Sequence, residues 1–390
     1  MRRMALKVSE RSDVPPFIVM EVMAAAAARE AQGGEVLHLE VGQPNTPAPR
    51  LAREAAVRAI GAELLGYTLA LGTPALRARI STYYLERHGI EVSPERIAVT
   101  AGSLGGFQLA FLAAFDPGDR VAMANPGYPS YRNALKPLGV EVVSLPVGPQ
   151  THYHPTVAMV EAAGPLDGLI IASPSNPTGS LLTRERLAEL VRYCEASGIR
   201  LISDEIYHGL TYGEPAASAV EYSSRAISIN SFSKYYSMAG WRLGWMVMPE
   251  ELVRPVERLA QNFFICPSSV AQAAALAAFE ATEELEGHVR RYREARGLLL
   301  EALPRLGLSR FAPPDGAFYI YADVSHLTAD SAALCRRLLA ETGIAATPGL
   351  DFDPVGGGAT VRLSYARGPE VAAAAIERLA RWLPGLHAGR

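Results

Sequence analysis

The sequence predicts an α/β protein with two domains: a large domain built on a mainly parallel seven-stranded sheet covered by helices, and a smaller α+β domain. The first observation is length, because 390 residues exceed what one ordinary hydrophobic core accommodates. The second is that helical patterns alternate with short apolar strands from about residue 50 to 280, which is typical of parallel sheets. The third is a change after about residue 285 to a long charged helix followed by separated strands and helices.

The elements follow in three blocks. Residues 1–48 are predicted to form an arm, a helix and a short strand that join the smaller domain, residues 49–284 the large domain, and residues 285–390 the small C-terminal domain. The predicted strands of the large domain are 97–101, 121–124, 141–145, 168–172, 200–203, 226–230 and 244–248. Helices are predicted over 17–32, 105–115, 128–138, 183–197, 284–303, 329–341 and 369–383, and further strands over 36–39, 317–323, 344–347 and 360–364.

Composition narrows the function classes. A net charge of −3 gives no electrostatic reason to expect nucleic acid or an anionic membrane as partner. The three cysteines lie far apart and form no CxxC pair, which argues against a disulfide framework or a zinc site and favours a cytoplasmic location. The basic residues 1–4 are followed by further charges rather than an apolar core, so no export signal is predicted, and the apolar run 20–28 is too short to span a bilayer.

Polar clusters directly follow four of the predicted strands. They contain Gly102-Ser103-Leu104, Asn176, Asp204 to Tyr207, and Ser231 to Lys234. Ligands of open α/β sheets bind at the carboxyl ends of the strands. We therefore expect the four clusters to meet in one crevice, which is a stronger indication of a site than any one of them.

One cluster points to a specific cofactor. Lys234 directly follows Ser231-Phe232-Ser233, and Arg242 comes eight residues later. A lysine forms a Schiff base with an aldehyde, and hydroxyls with an arginine hold a phosphate; pyridoxal 5′-phosphate (PLP) carries both groups. Lys234 is predicted to form the internal aldimine and then, as the free amine, to move a proton between substrate Cα and cofactor C4′. Taken alone, the same lysine would be read as a surface residue.

The other clusters supply what PLP needs. Gly102-Ser103-Leu104 opens a helix whose free N–H groups favour an anion. Asp204 can keep the pyridine nitrogen protonated, and Tyr207 and Asn176 can hydrogen-bond the phenolic oxygen of the ring. Tyr128 is a candidate for stacking on the ring. Each residue also has a purely structural interpretation: a helix cap for Asp204, a turn for Asn176 and simple packing for Tyr128.

The order of these motifs resembles the class I/II aminotransferases of PLP fold type I, the aspartate aminotransferase superfamily. The matching segments are Gly42-Gln43-Pro44, Gly66-Tyr67-Thr68, Ser175-Asn176-Pro177-Thr178-Gly179, Asp204-Glu205-Ile206-Tyr207, Ser231-Phe232-Ser233-Lys234, Trp241-Arg242-Leu243-Gly244 and Val361-Arg362-Leu363-Ser364. The resemblance implies that Arg362 binds the substrate α-carboxylate and that Gly42 lies against the substrate. It also implies a homodimer, in which Tyr67 reaches the phosphate of the neighbouring subunit.

The resemblance further implies a transaminase that works in two half-reactions between an L-amino acid and a 2-oxo acid such as 2-oxoglutarate or pyruvate. Related aspartate-specific enzymes carry a lysine at the position of Leu104, and Phe17 and Ile18 are apolar. A neutral or aromatic donor is therefore favoured. A Cβ–S lyase or decarboxylase that uses the same lysine remains the alternative, since such enzymes share the fold.

Three other patterns compete with this interpretation. An effector-sensing transcription regulator would carry a basic DNA-binding domain ahead of this fold, and none is expected here. Ser231-x-x-Lys234 matches one element of serine acyl-enzymes, but the companion Ser-Asp-Asn and Lys-Thr-Gly elements are missing from the sequence. His152-x-His154 and Asp351-x-Asp353 are interpreted as solvated loop residues rather than metal ligands, so no metal is predicted.

Overall fold

The predicted α/β architecture is confirmed in a computed structural model that describes residues 6–387. The helices are α1 Ile18–Ala31, α2 Arg50–Ala62, α3 Pro74–His88, α4 Gly102–Ala114, α5 Pro129–Leu135, α6 Val157–Ala162, α7 Arg184–Ser197, α8 Glu250–Phe263, α9 Ser269–Ala278, α10 Thr282–Arg305, α11 Ser331–Thr342 and α12 Pro369–His387. The strands are β1 Leu37–His38, β2 Ile97–Thr100, β3 Arg120–Asn125, β4 Glu141–Pro146, β5 Gly168–Ala172, β6 Arg200–Asp204, β7 Ile227–Ser231, β8 Gly244–Val247, β9 Tyr319–Asp323, β10 Ile344–Ala345, β11 Thr347–Pro348 and β12 Thr360–Ser364.

The large sheet has seven strands in the order β2-β8-β7-β6-β5-β3-β4. It is parallel except for β8, which runs antiparallel to both β2 and β7. Strands β2, β7 and β8 are buried along their whole length. Burial on both faces favours apolar residues throughout a strand, as in β8, whereas β7 alternates and buries the polar residues Ser228, Asn230 and Ser231.

The smaller domain combines both ends of the chain. Strands β11, β12 and β9 form an antiparallel sheet, and β1 pairs in parallel with β10. The N-terminal segment therefore shares a sheet with the C-terminal part. The strand predicted over 344–347 is two short strands instead, because β10 pairs with β1 whereas β11 turns to pair with β12.

The helix α10 contributes Leu285 to the hydrophobic cluster beside β2 and β8, and Val289 and Tyr292 to the cluster around β9 and β12. The predicted domain boundary at residues 284–285 falls near the start of this helix. Residues 1–5 and 388–390 of the predicted domains, including the basic N-terminus, lie outside the described residues. Within residues 6–387, none of the helices is long and apolar enough to cross a membrane.

Candidate active site

Lys234 lies at the centre of the crevice where the strand ends of the large sheet face the smaller domain. Its Nζ donates a hydrogen bond to the backbone oxygen of Gly42 over 2.7 Å and lies 6.0 Å from the ring centroid of Tyr207. Burial lowers the pKa of the Lys234 ammonium to about 8, and the positive charges of Arg362 and Arg242 act in the same direction, opposed by Asp204. A lysine with a lowered pKa supplies the free amine that attacks a carbonyl.

Asp204 is a buried carboxyl at the end of β6. Its Oδ1 accepts the backbone N–H of Ile206 over 3.1 Å, and its Oδ2 accepts the hydroxyl of Tyr131. Burial raises the pKa of Asp204 to about 6, and the two hydrogen bonds oppose this rise. Asp204 is therefore ionised above about pH 6, and the ionised carboxylate is the form that can pair with a protonated ring nitrogen. Sequence reasoning missed Tyr131, although it follows Tyr128 by one helical turn and so faces the same side of α5.

Arg362, on β12, is buried and held from several sides. Its Nη1 donates to Asn176 Oδ1 over 2.8 Å, and its Nη2 donates to the backbone oxygen of Glu40. Its Cζ lies 4.5 Å from the ring centroid of Tyr319 and 4.7 Å from that of Phe352. Its Nε is buried without a hydrogen-bond partner among the described residues. A fixed guanidinium with an unused buried donor suits a ligand carboxylate.

Gly42 lies where a side chain would block the crevice. A Cβ built there would come within 1.8 Å of the Tyr319 hydroxyl. That hydroxyl also forms a 2.6 Å hydrogen bond with the hydroxyl of Tyr207. Tyr319 is thus a second site residue that sequence reasoning missed; it stood inside a predicted strand and looked like core.

The opposite end of the crevice is rich in hydroxyl and N–H donors. Gly102 begins α4 with a positive φ of +72°, and a Cβ there would lie 2.5 Å from Arg242 Nη2. Ser231 and Ser233 are buried and their hydroxyl oxygens lie 2.8 Å apart. The helix N-terminus, a guanidinium and two hydroxyls together form an environment suited to a phosphate.

Aromatic side chains line the wall beside Asp204. The Tyr128 ring packs edge-on against Tyr131, with centroids 5.4 Å apart, and against Phe17 of the N-terminal arm at 5.8 Å. Burial raises the pKa of the Tyr128 hydroxyl, and Asp204 contributes to that rise. Tyr128 and Phe17 are therefore both near the predicted site.

Three predicted site residues lie at its edge. Tyr67 is 83% exposed and Leu104 is 43% exposed, while Ser103 is half-buried. Leu104 and Ser103 belong to the first turn of α4. Within residues 6–387, none of the side-chain hydrogen bonds or ring contacts joins Tyr67 to Lys234.

The prediction that two His and Asp pairs are solvated is wrong for one member of each pair. His154 is buried, and burial lowers its pKa to about 3. Asp351 is buried because its two carboxylate oxygens accept the backbone N–H groups of Ile18 and Val19, at 3.0 and 3.3 Å, and so cap the start of α1. Among residues 6–387, no group of three or more His, Cys, Asp or Glu side chains is placed to hold a metal ion.

This fold and donor set are those of a PLP-dependent enzyme, and the comparisons with known proteins make it a transaminase. The family model for aminotransferase class I and II matches residues 34–379, and the chain belongs to that family. The chain is 52% identical to a valine–pyruvate aminotransferase of Mycobacterium tuberculosis, over 97% of this chain and 99% of that one. A crystal structure of an aminotransferase from the same organism superimposes with a TM-score of 0.96 at 51% identity, covering 98% of this chain and 100% of that one. The Thermus thermophilus aspartate aminotransferase with maleate gives 0.91 at 32% identity, covering 97% and 100%.

The cofactor is PLP, and the residues present fit it. The amine of Lys234 would suit the aldehyde of the cofactor, the carboxyl of Asp204 its ring nitrogen, and the donors around Gly102 its phosphate. The unpartnered Nε of Arg362 is a free buried donor that would suit a substrate carboxylate.

Proposed function

We propose that this enzyme transfers the amino group of a neutral L-amino acid, with valine the first donor to test, to a small 2-oxo acid such as pyruvate. The observation that carries the proposal is the supply of guanidinium donors. Arg362 keeps a buried N–H without a partner, whereas the nearby Arg132 donates to the backbone oxygens of Asp351 and Phe352. Of these two guanidinium groups, only that of Arg362 keeps a buried donor for a carboxylate. The name of the mycobacterial relative supports the same substrates.

The apolar wall supports a neutral side chain on the donor. Phe17 and Tyr128 pack against each other beside Asp204, and Leu104 lies where related aspartate-specific enzymes carry a lysine. A hydrocarbon side chain gains from burial against such a wall, whereas a second carboxylate would lose its hydration without a paired cation. Aromatic donors remain compatible with this wall.

PLP, when bound, supplies an aldehyde that combines with amines and a protonated ring that withdraws electrons. Lys234 supplies the amine that holds the aldehyde before substrate arrives. Its lowered pKa, about 8, would suit the free amine for taking the proton from substrate Cα and delivering the same proton to C4′ of the cofactor. Asp204 would keep a proton on the ring nitrogen, and the Tyr131 hydroxyl donates a hydrogen bond to the carboxylate of Asp204.

The remaining residues orient the two reactants. Asn176 is hydrogen-bonded to Arg362, so one side chain can contact both the ring oxygen and the guanidinium that binds substrate. Tyr207 is fixed by Tyr319 and faces the same crevice. The N–H groups of Gly102, Ser103 and Leu104, with Ser231, Ser233 and Arg242, would hold the phosphate.

We also propose a homodimer in which Tyr67 completes the site of the partner. Tyr67 lies on a surface with the exposed apolar residues Leu64, Leu69, Phe263 and Ile265. The loop that carries it is tied down, since Ser269 Oγ donates to Gly66 O over 2.6 Å. A large exposed apolar surface on an ordered loop is typical of an interface.

The donor class is tested by measuring kcat/KM for a panel of L-amino acids with pyruvate as acceptor. We expect valine and related neutral amino acids to exceed aspartate by about tenfold or more, the value of one unmatched buried interaction. A higher kcat/KM for aspartate than for every neutral donor would refute the donor assignment.

The dimer is tested by complementation between two inactive proteins. A subunit carrying Lys234→Ala keeps Tyr67, and one carrying Tyr67→Ala keeps Lys234. Random mixing should restore on the order of a quarter of wild-type sites if Tyr67 acts across the interface. No recovery above the sum of the separate proteins would show that Tyr67 does not act in this way.

A further inference from the structure

An imidazole lies between two carboxylates, and one of these belongs to Glu40, whose backbone oxygen contacts Arg362. His38, at the end of β1, approaches Glu40 through Nδ1 at 2.8 Å and Glu30 of α1 through Nε2 at 3.1 Å. A carboxylate oxygen only accepts hydrogen bonds, and an imidazole donates from both nitrogens only when it is protonated. The geometry therefore matches the imidazolium form of His38.

The two carboxylates are not equivalent. Glu40 is 1% exposed and its Oε2 has no partner among residues 6–387, whereas the side chain of Glu30 is half exposed. His38 is thus the side-chain partner of the buried Glu40 carboxyl, while water can solvate Glu30. A buried carboxylate that loses its countercharge is strongly disfavoured.

The other charges near His38 act against protonation or are already paired. Arg367, in the loop before α12, lowers the pKa of His38, and its Nη1 donates to Asn45 Oδ1 over 2.7 Å. Arg378 of α12 is paired with Glu35 and does not contribute to the His38 pair. Burial also lowers the pKa of His38, but the hydrogen bonds to Glu40 and Glu30 outweigh it, so the net pKa is raised.

The segment that carries Glu40 contacts both Arg362 and Lys234. The backbone oxygen of Glu40 accepts from Arg362 Nη2 and from Thr347 Oγ1, the latter over 2.8 Å. Two residues further on, the backbone oxygen of Gly42 accepts from Lys234 Nζ over 2.7 Å. A displacement of Glu40 would therefore move the acceptor that aims the guanidinium of Arg362.

We propose that His38 is a positioning residue: its protonated ring anchors the buried Glu40, whose backbone holds Arg362, so that affinity for the substrate carboxylate falls as His38 loses its proton. This rests on the proposed function only in that the ligand is the carboxylate of an amino or 2-oxo acid. Affinity should be highest below the pKa of His38 and decline as pH rises through it.

The test measures binding of 3-methylbutanoate, the amine-free analogue of valine, to the PLP-loaded protein by calorimetry between pH 6 and 9. We expect His38→Gln to weaken binding about three- to tenfold at pH 6 and to match wild type at pH 9. Ionisation of Lys234 and of the cofactor affects both proteins equally, so it cancels in the ratio of the affinity of His38→Gln to that of wild type. The control is His152→Gln, which removes another histidine–carboxylate pair, in which His152 lies 2.7 Å from Asp315 and outside the site. The ratio of the affinity of this variant to that of wild type should not change with pH.

A second variant separates positioning from damage to the fold. Glu40→Gln removes the buried charge, so adding His38→Gln to it should change the affinity no further. A ratio of His38→Gln to wild type that does not vary with pH, or an undiminished effect of His38→Gln in the Glu40→Gln background, would overturn the proposal.

The last readout is independent of catalysis. In the NMR spectrum of the cofactor-free protein, the His38 ring should titrate above its ordinary pKa of about 6.5. The Arg362 Nε–H signal should shift with the same midpoint in wild type and stay constant in His38→Gln. A His38 pKa below about 6.5, or an Arg362 Nε–H signal that does not change as His38 titrates, would overturn the proposal. Failure of the proposed function would instead appear as no amino transfer from any donor, with this coupling intact.

Discussion

Replacement of Tyr131 by phenylalanine should raise the pKa of Asp204 and narrow the pH range in which the protein binds PLP. The Tyr131 hydroxyl donates to Asp204 Oδ2 and is itself buried, so it stabilises the ionised carboxylate. Its loss leaves the backbone N–H of Ile206 as the donor to Oδ1. Burial would then act with less opposition.

The size of the shift follows from the kind of hydrogen bond that is lost. A hydrogen bond to a charged group contributes about 1.5–3 kcal/mol, and one pKa unit corresponds to about 1.4 kcal/mol. The pKa of Asp204, about 6 in the cofactor-free protein, should therefore rise by about 1–2 units in Tyr131→Phe. At pH 7 much of Asp204 would be protonated and could not pair with a protonated ring.

The assay is a PLP titration of the cofactor-free protein, followed by absorbance between pH 5 and 9, for wild type and Tyr131→Phe. The pH below which the affinity for PLP falls should be higher in Tyr131→Phe by about 1–2 pH units. Tyr128→Phe is the matched control. It removes a tyrosine hydroxyl one helical turn from Tyr131 and leaves the aromatic ring, but that hydroxyl does not donate to Asp204. A fall in PLP affinity at the same pH in wild type and Tyr131→Phe would refute the role given to the Tyr131 hydroxyl.

Two further predictions concern the cofactor site. Asp204→Asn should stabilise the cofactor-free protein at pH 7, because a carboxyl whose pKa rises from 3.8 to about 6 on folding destabilises the fold above pH 6. The gain in the free energy of unfolding, up to about 3 kcal/mol, should vanish near pH 4. Urea unfolding that shows equal stability of the two proteins at pH 7 would contradict this prediction. Gly102→Ala should lower PLP affinity about tenfold or more, since φ there is +72° and the new Cβ would lie 2.5 Å from Arg242 Nη2; equilibrium dialysis with unchanged affinity would remove Gly102 from the phosphate site.

Much of the large domain could be predicted because its signals are local. Apolar runs such as 168–172 and 200–203 fall at strands β5 and β6, and the polar residues that follow them share one sheet edge by topology. The antiparallel direction of β8 is different, since nothing in its four buried residues distinguishes it from a parallel strand.

The parts that could not be predicted depend on contacts between distant segments. Tyr319 looked like an ordinary core residue until the fold brought its hydroxyl to Tyr207. Asp351 looked solvated, but it caps α1 across more than three hundred residues of sequence. The His38–Glu40 pair was overlooked because neither residue follows a strand of the large sheet, and its link to Arg362 runs through a backbone oxygen.

The most direct test of the central claim is a single half-reaction of the purified, PLP-loaded protein with L-valine and no acceptor. The absorption spectrum should change to that of the amine form of the cofactor, with one equivalent of 2-oxo acid released per site. Lys234→Ala should bind PLP without making this conversion. Release of ammonia, sulfide or carbon dioxide with no lasting spectral change, or a conversion undiminished in Lys234→Ala, would contradict a transaminase centred on Lys234.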